Sequence, residues 1–173
     1  MKSLLFVLLF SPSADMCHVF KHKSFWLRPS VEKNVCKWMA HVLRSAKKNK
    51  IDPFLLSSLI TVESGWRHKS VSPVNACGLT QVIPKYTGKI TKKYTCRQLK
   101  NPKVSIAVGA ATLKWWIDYH KGDVSRALCG YSSGFRCKGN KPLRAGMRYS
   151  RKVLAQKNKI ERMYKNQIPN SHR

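Results

Sequence analysis

Apolar residues recur along this chain at intervals of three and four, and no stretch alternates cleanly as a half-buried strand would. Val31, Val35, Trp38, Met39, Val42 and Ala46 form one such stripe, with Ser30 placed to cap it. The basic run Lys47-Lys48-Asn49-Lys50 ends it, since positive charge suits a helix C-terminus. Asp52-Pro53 reads as an N-cap followed by Pro at the first helical position, and Gly65 as the stop of that second helix. From Trp66 to Leu99 the chain is rich in Pro, Gly, Ser and Thr, which predicts loop with a short helix near Gln81. Asn101-Pro102 starts a helix that Gly122 ends, and its apolar residues cover nearly the whole circumference, so it is expected to be buried. Asp123 caps a short helix leading to Tyr131. Pro142 opens a long one with Met147, Val153, Leu154, Ile160 and Tyr164 on one stripe. The pattern predicts one mainly α domain.

The 173 residues give room for a single core, and 43% hydrophobic content with five Trp argues for a folded globule over a basic disordered tail. Met1-Lys2-Ser3, an apolar run from Leu4 to Phe10 and the small residues to Ala14 read as a secretory signal over 1–14, too short to span a bilayer. Charges interrupt every later apolar run. Six cysteines follow (Cys17, Cys36, Cys77, Cys96, Cys129 and Cys137), an even count that suggests disulfides in an exported protein, with 15 pairings open. No C-x-x-C pair occurs. Cys17, His18 and His22 are weighed as metal ligands and set aside in favour of an exposed basic N-terminal segment, so neither metal nor cofactor is expected. A net charge of +27 favours polyanions. The cations are spread along the whole chain, which fits cell-wall and envelope polymers better than a nucleic-acid groove.

Leu56, Leu59, Ile60 and Glu63 share one side of the second helix. A carboxylate there is disfavoured by desolvation and by the negative end of the helix dipole, and both raise its pKa toward that of a general acid. The alternative is a structural ion pair with one of the many cations.

The neighbouring residues tip the balance. Glu63-Ser64-Gly65-Trp66, Ser72-Pro73 and Gly78-Leu79-Thr80-Gln81-Val82-Ile83-Pro84, followed by Ala127-Leu128-Cys129-Gly130-Tyr131-Ser132-Ser133-Gly134 and Tyr149-Ser150-Arg151-Lys152-Val153-Leu154, occur in order. Together they resemble the lytic transglycosylase family of the goose-lysozyme-like superfamily. The chain departs from that pattern in three places. Thr80 stands where a Met is usual, Ser132 replaces an Asn, and Ala145-Gly146-Met147-Arg148 precedes Tyr149 without a Glu-Thr pair.

The resemblance implies a lysozyme-like single domain over 51–165, with 15–50 as a helical segment packed on it and 166–173 as a tail. It implies Glu63 as catalytic acid and then base, cleaving the MurNAc-GlcNAc bond of peptidoglycan while the muramic C6 hydroxyl closes a 1,6-anhydro ring. Ser72, Gln81, Tyr131 and Tyr149 would serve the substrate, Tyr131 by orienting Glu63 or the intermediate. Acids are scarce: none lies between Trp66 and Leu99, and Asp52 sits about 16 Å from Glu63 along the helix. That scarcity suits a one-carboxylate reaction in which an intramolecular hydroxyl replaces water. Two alternatives stand beside it: a hydrolytic muramidase, and a non-catalytic cationic binder of the wall. The expected setting is the periplasm or cell envelope, where peptidoglycan strands, and a secretion or conjugation apparatus, are the candidate partners.

Overall fold

Four of the described helices begin where a side chain takes over an orphan backbone amide, one of them with the Thr95 hydroxyl accepting from the Gln98 amide at 3.2 Å. In the computed structural model, which describes residues 16–21, 29–138 and 143–167, Asp52 accepts from the Phe54 amide at 2.8 Å, Asn101 from Val104 at 3.3 Å and Asp123 from Arg126 at 2.9 Å. The helices are α1 (Pro29–Asn49), α2 (Pro53–Ser64), α3 (Pro84–Thr87), α4 (Cys96–Leu99), α5 (Pro102–Tyr119), α6 (Val124–Ser133) and α7 (Arg144–Gln167). Short 3-10 turns cover Val19–Lys21 and Gly134–Cys137. Extended pairing among the described residues is limited to isolated bridges joining Val71 to Cys77 and Cys77 to Val82.

Several boundaries differ from expectation. Helix α1 is described from Pro29, so Ser30 lies within the helix and not ahead of it as a cap would. The fixed φ of proline suits that position. Helix α5 stops at Tyr119, and the Gly122 amide, at a φ of 91° that favours glycine, returns to the Ile117 carbonyl at 2.8 Å. Pro142 lies outside the described residues; the last helix is described from Arg144.

Helix α5 packs between α1 and α6, while α7 lies across α2 and α6. Their contacts bury Ile106, Ala110 and Leu113 of α5 with Leu56, Leu59 and Ile60 of α2, Val35, Met39 and Val42 of α1, Leu128 of α6, and Val153 and Ile160 of α7. Along α7, Val153 and Ile160 of the expected stripe are buried and Leu154 and Tyr164 pack partly against the core, but the N-terminal end of the helix differs. Gly146 and Ser150 face inward with Val153 and Ile160, and Met147 is only half-buried. The cause is close approach: a Cβ on Gly146 would sit 2.5 Å from the Cys129 sulfur and 3.0 Å from that of Cys137. No side chain fits there.

All six cysteines pair, as Cys17–Cys36, Cys77–Cys96 and Cys129–Cys137. The first disulfide removes Cys17 as a metal ligand. It also helps hold Met16, Val19 and Phe20 in the core, with Phe20 edge-on to Trp66 at 5.3 Å. This part of the N-terminal segment is therefore buried, not exposed. Hydrophobic burial of Phe20 outweighs the pull of its charged neighbours into water. His22 lies outside the described residues. Among those described, no helix is long and apolar enough to cross a membrane and no group of residues is arranged to hold a metal ion.

Candidate active site

Glu63 occupies the last turn of α2, one residue before the end. The helix is then reversed by two successive left-handed residues, Gly65 at φ 55° and Trp66 at φ 63°. A bulky residue in that region is costly. Trp66 is held there by complete burial and by an indole N–H donated to the Thr61 hydroxyl at 2.9 Å. Ser64 locks the same turn from the other side, donating to the Leu79 carbonyl at 2.8 Å. The turn is thus pinned to the core and to the Gly78–Gln81 loop.

The tyrosine that touches Glu63 is Tyr149, which donates its hydroxyl to Glu63 Oε1 at 2.5 Å. Tyr131 instead donates to the Thr80 carbonyl at 2.8 Å and meets Glu63 through electrostatics alone. The hydroxyl bonded to Glu63 is thus that of Tyr149, while that of Tyr131 is bonded to the loop. Burial raises the Glu63 pKa from 4.5 to about 7, against the lowering effects of the Tyr149 bond and the nearby Lys152 charge. Both phenols are pushed well above their usual range, by burial first and then by the Glu63 charge. They stay protonated as donors at any physiological pH.

Ser72 and Gln81 sit on the loop that follows α2, and their described hydrogen bonds stay within it. The Ser72 hydroxyl accepts from the Ala76 amide at 3.1 Å, closing the Ser-Pro turn. The Gln81 amide donates to the carbonyls of Gly78 at 2.8 Å and Ser70 at 3.2 Å, with its own backbone left-handed at φ 48°. No described hydrogen bond joins either residue to Glu63. Thr80, Ser64 and Ser105 complete the frame. Buried Thr80 donates to the Ser105 carbonyl at 2.9 Å and receives nothing larger than Gly109 beneath it. Only the departure from Met at position 80 hinted at this packing.

Four of the other described acids are engaged elsewhere. Asp118 is exposed and paired with Lys114, Asp123 caps α6 beside Arg126, and Asp52 and Glu161 share Lys157. Neither Asp118 nor Asp123 is among the groups that set the Glu63 pKa. Glu63 stands apart as a carboxyl that burial keeps largely protonated up to about pH 7, with Oε1 held by Tyr149. Such a group can give a proton to a leaving oxygen and later take one back.

A helical, lysozyme-like domain with one perturbed carboxyl at the end of a core helix defines the class. Residues 41–153 match the family described as Transglycosylase SLT domain, and the chain belongs to it. Relatives include the endo-type membrane-bound lytic murein transglycosylase A of Salmonella paratyphi B and that of Salmonella typhimurium. Each is 32% identical over 88 residues, covering 47% of this chain and 43% of the relative. The match thus spans less than half the length of those curated relatives. Among solved structures, an inactive mutant of the lytic transglycosylase Slt from Pseudomonas aeruginosa superposes with a TM-score of 0.68 at 19% identity, covering 89% of this chain and 30% of that one. The 70 kDa soluble lytic transglycosylase from Escherichia coli gives 0.66 at 18% identity, covering 87% and 30%. These two likenesses establish the fold.

Proposed function

We propose that this protein is a peptidoglycan lytic transglycosylase that cleaves between MurNAc and GlcNAc and leaves a 1,6-anhydro end. The observation that carries this reading is Glu63, a carboxyl whose pKa burial raises to about 7, bonded to Tyr149 in a chain of the SLT family. Protonated Glu63 donates to the glycosidic oxygen. Tyr149 fixes the carboxyl and steadies the carboxylate that forms. Glu63 then accepts the proton of the muramic C6 hydroxyl as that oxygen closes on the anomeric carbon, so no water need be aimed and no second carboxylate is required. Tyr131 steadies the Gly78–Gln81 loop through Thr80, and Ser72 and Gln81 shape that loop against the glycan. The named activity of the Salmonella relatives supports the same substrate.

The protein acts outside the cytoplasm, in the periplasm or cell envelope, with residues 1–14 as its export signal. Support comes from three disulfides, which form and persist mainly in oxidising compartments. Digestion of isolated sacculi by wild type and Glu63→Gln tests the assignment. Turnover should vanish in the variant. Residual activity within about tenfold, a loss of only about 1.4 kcal/mol in transition-state stabilisation, would contradict it.

A further inference from the structure

The outer face of α7 carries a feature that the chemistry of Glu63 does not use. Arg144, Arg148 and Arg151 follow at i, i+4 and i+7, all exposed, and with half-buried Met147 line a shallow recess of about 240 Å³. Arg162 and Lys165 stand exposed further along the helix. No salt bridge among the described residues involves the three recess arginines; the pairs formed use Lys114, Arg126 and Lys157. The acid nearest along the same helix, Glu161, is committed to Lys157. Among the described residues, the three recess arginines thus have no acidic partner.

We propose that this face docks a linear anionic polymer bearing phosphodiester groups. Lysine outnumbers arginine about two to one in the chain, yet every cation of the recess is an arginine. A guanidinium fork meets a phosphate in bidentate fashion and gives up its water more readily than an ammonium does. A bilayer surface fits less well. Interfacial helices sink an apolar face into lipid, whereas that of α7 is spent on the core through Val153 and Ile160, and the exposed large apolar side chains described (Val71, Val74, Tyr86 and Phe135) lie on other elements. Single-stranded nucleic acid fits less well too, because base stacking needs rings on the binding face. Tyr149 turns inward to Glu63, and Tyr164 lies edge-on to Phe54 at 5.3 Å. The disulfides also place the chain where nucleic acid is scarce. Because Tyr149 and Lys152 belong to the same helix, a polymer on this ridge would hold the protein with Glu63 at its flank. The docking does not depend on the reaction proposed for Glu63.

The test uses the full chain and poly(glycerol phosphate) at fixed low ionic strength. The variant Arg144→Gln/Arg148→Gln/Arg151→Gln is compared with Lys33→Gln/Lys47→Gln/Lys48→Gln, which removes the same charge from exposed positions of α1. Far-UV circular dichroism checks that both fold. The Arg variant should bind the polymer at least about tenfold more weakly, and the Lys variant less than about threefold. On polyglutamate, a carboxylate polymer, the two variants should lose affinity equally. Equal losses on poly(glycerol phosphate) would reduce the ridge to net charge and overturn the proposal. A tenfold Arg-specific loss on polyglutamate would remove the phosphate preference. An Arg-specific loss confined to phosphatidylglycerol vesicles or duplex DNA would assign the face to a different partner.

Discussion

The Tyr149 hydroxyl donates to Glu63 Oε1 at 2.5 Å, joining the start of α7 to the last turn of α2 across 86 residues. The bond stabilises the carboxylate and burial opposes it; burial wins, leaving a pKa of about 7. Tyr149→Phe removes the stabilising bond, so the Glu63 pKa should rise further. The alkaline limb of kcat/KM against pH should move upward from about 7, while turnover at the optimum falls by about tenfold as the carboxyl loses its orientation. A limb that stays in place or moves down would show that Tyr149 does not set this acid.

Glu63→Gln should also change stability with a defined pH dependence. The folded pKa of about 7 lies above the ordinary 4.5, so between these values the unfolded chain releases a proton that the folded one keeps. Wild type therefore loses stability as pH rises from 4.5 to 7 and levels off above it. The glutamine variant, which still accepts from Tyr149, escapes that loss. Urea unfolding should show the variant more stable by up to about 3 kcal/mol above pH 7 and equal to wild type below 4.5. A variant equally destabilised at every pH would contradict the burial argument.

Gly109→Ala tests the frame behind the site. Its Cβ would lie 2.4 Å from Thr80 Cβ and 2.5 Å from Thr80 Oγ1, and the Thr80 carbonyl is the acceptor for Tyr131. Shifting Thr80 should cost about 1–3 kcal/mol in chemical denaturation. It should lower kcat more than it raises KM, since it disturbs the frame beside Glu63. Unchanged turnover would mean that the Thr80–Tyr131 bond is irrelevant to Glu63.

The Cys77–Cys96 disulfide closes a loop of 19 residues in sequence separation that contains Gln81. Cys77→Ser/Cys96→Ser should destabilise by about 3 kcal/mol on a chain-entropy basis and lower the calorimetric Tm. Treating wild type with reductant should shift it in the same direction. A Tm insensitive to both would show that the loop is held without the bridge.

Local chemistry was readable in advance. The Asp52-Pro53 cap, the Gly65 stop and the apolar side shared by Leu56, Leu59, Ile60 and Glu63 are relations within one helix, where spacing determines geometry. What escaped was non-local. Nothing near Tyr149 in sequence marks its partner 86 residues away, and nothing near Tyr131 marks the Thr80 carbonyl. The first turns of α7 differ from expectation because Met147 looks like core and Gly146 does not, whereas Val153, Leu154, Ile160 and Tyr164 pack on the core as expected. The Cys129–Cys137 sulfurs and the Ser133 hydroxyl, pressed against Gly146, explain the choice. Ser72 and Gln81 were expected to serve the substrate, and the hydrogen bonds described for their side chains lie within their own loop.

The central claim is that one carboxyl suffices because the sugar supplies its own nucleophile. Mass spectrometry of the muropeptides released from purified sacculi tests it most directly. An internal C6 attack yields 1,6-anhydro ends, each lighter by one water than a hydrolysed product and lacking a reducing end, and these should dominate the digest. A digest dominated by reducing ends would contradict the account. It would require a second carboxylate beside Glu63, a position that neither Asp118 nor Asp123 occupies.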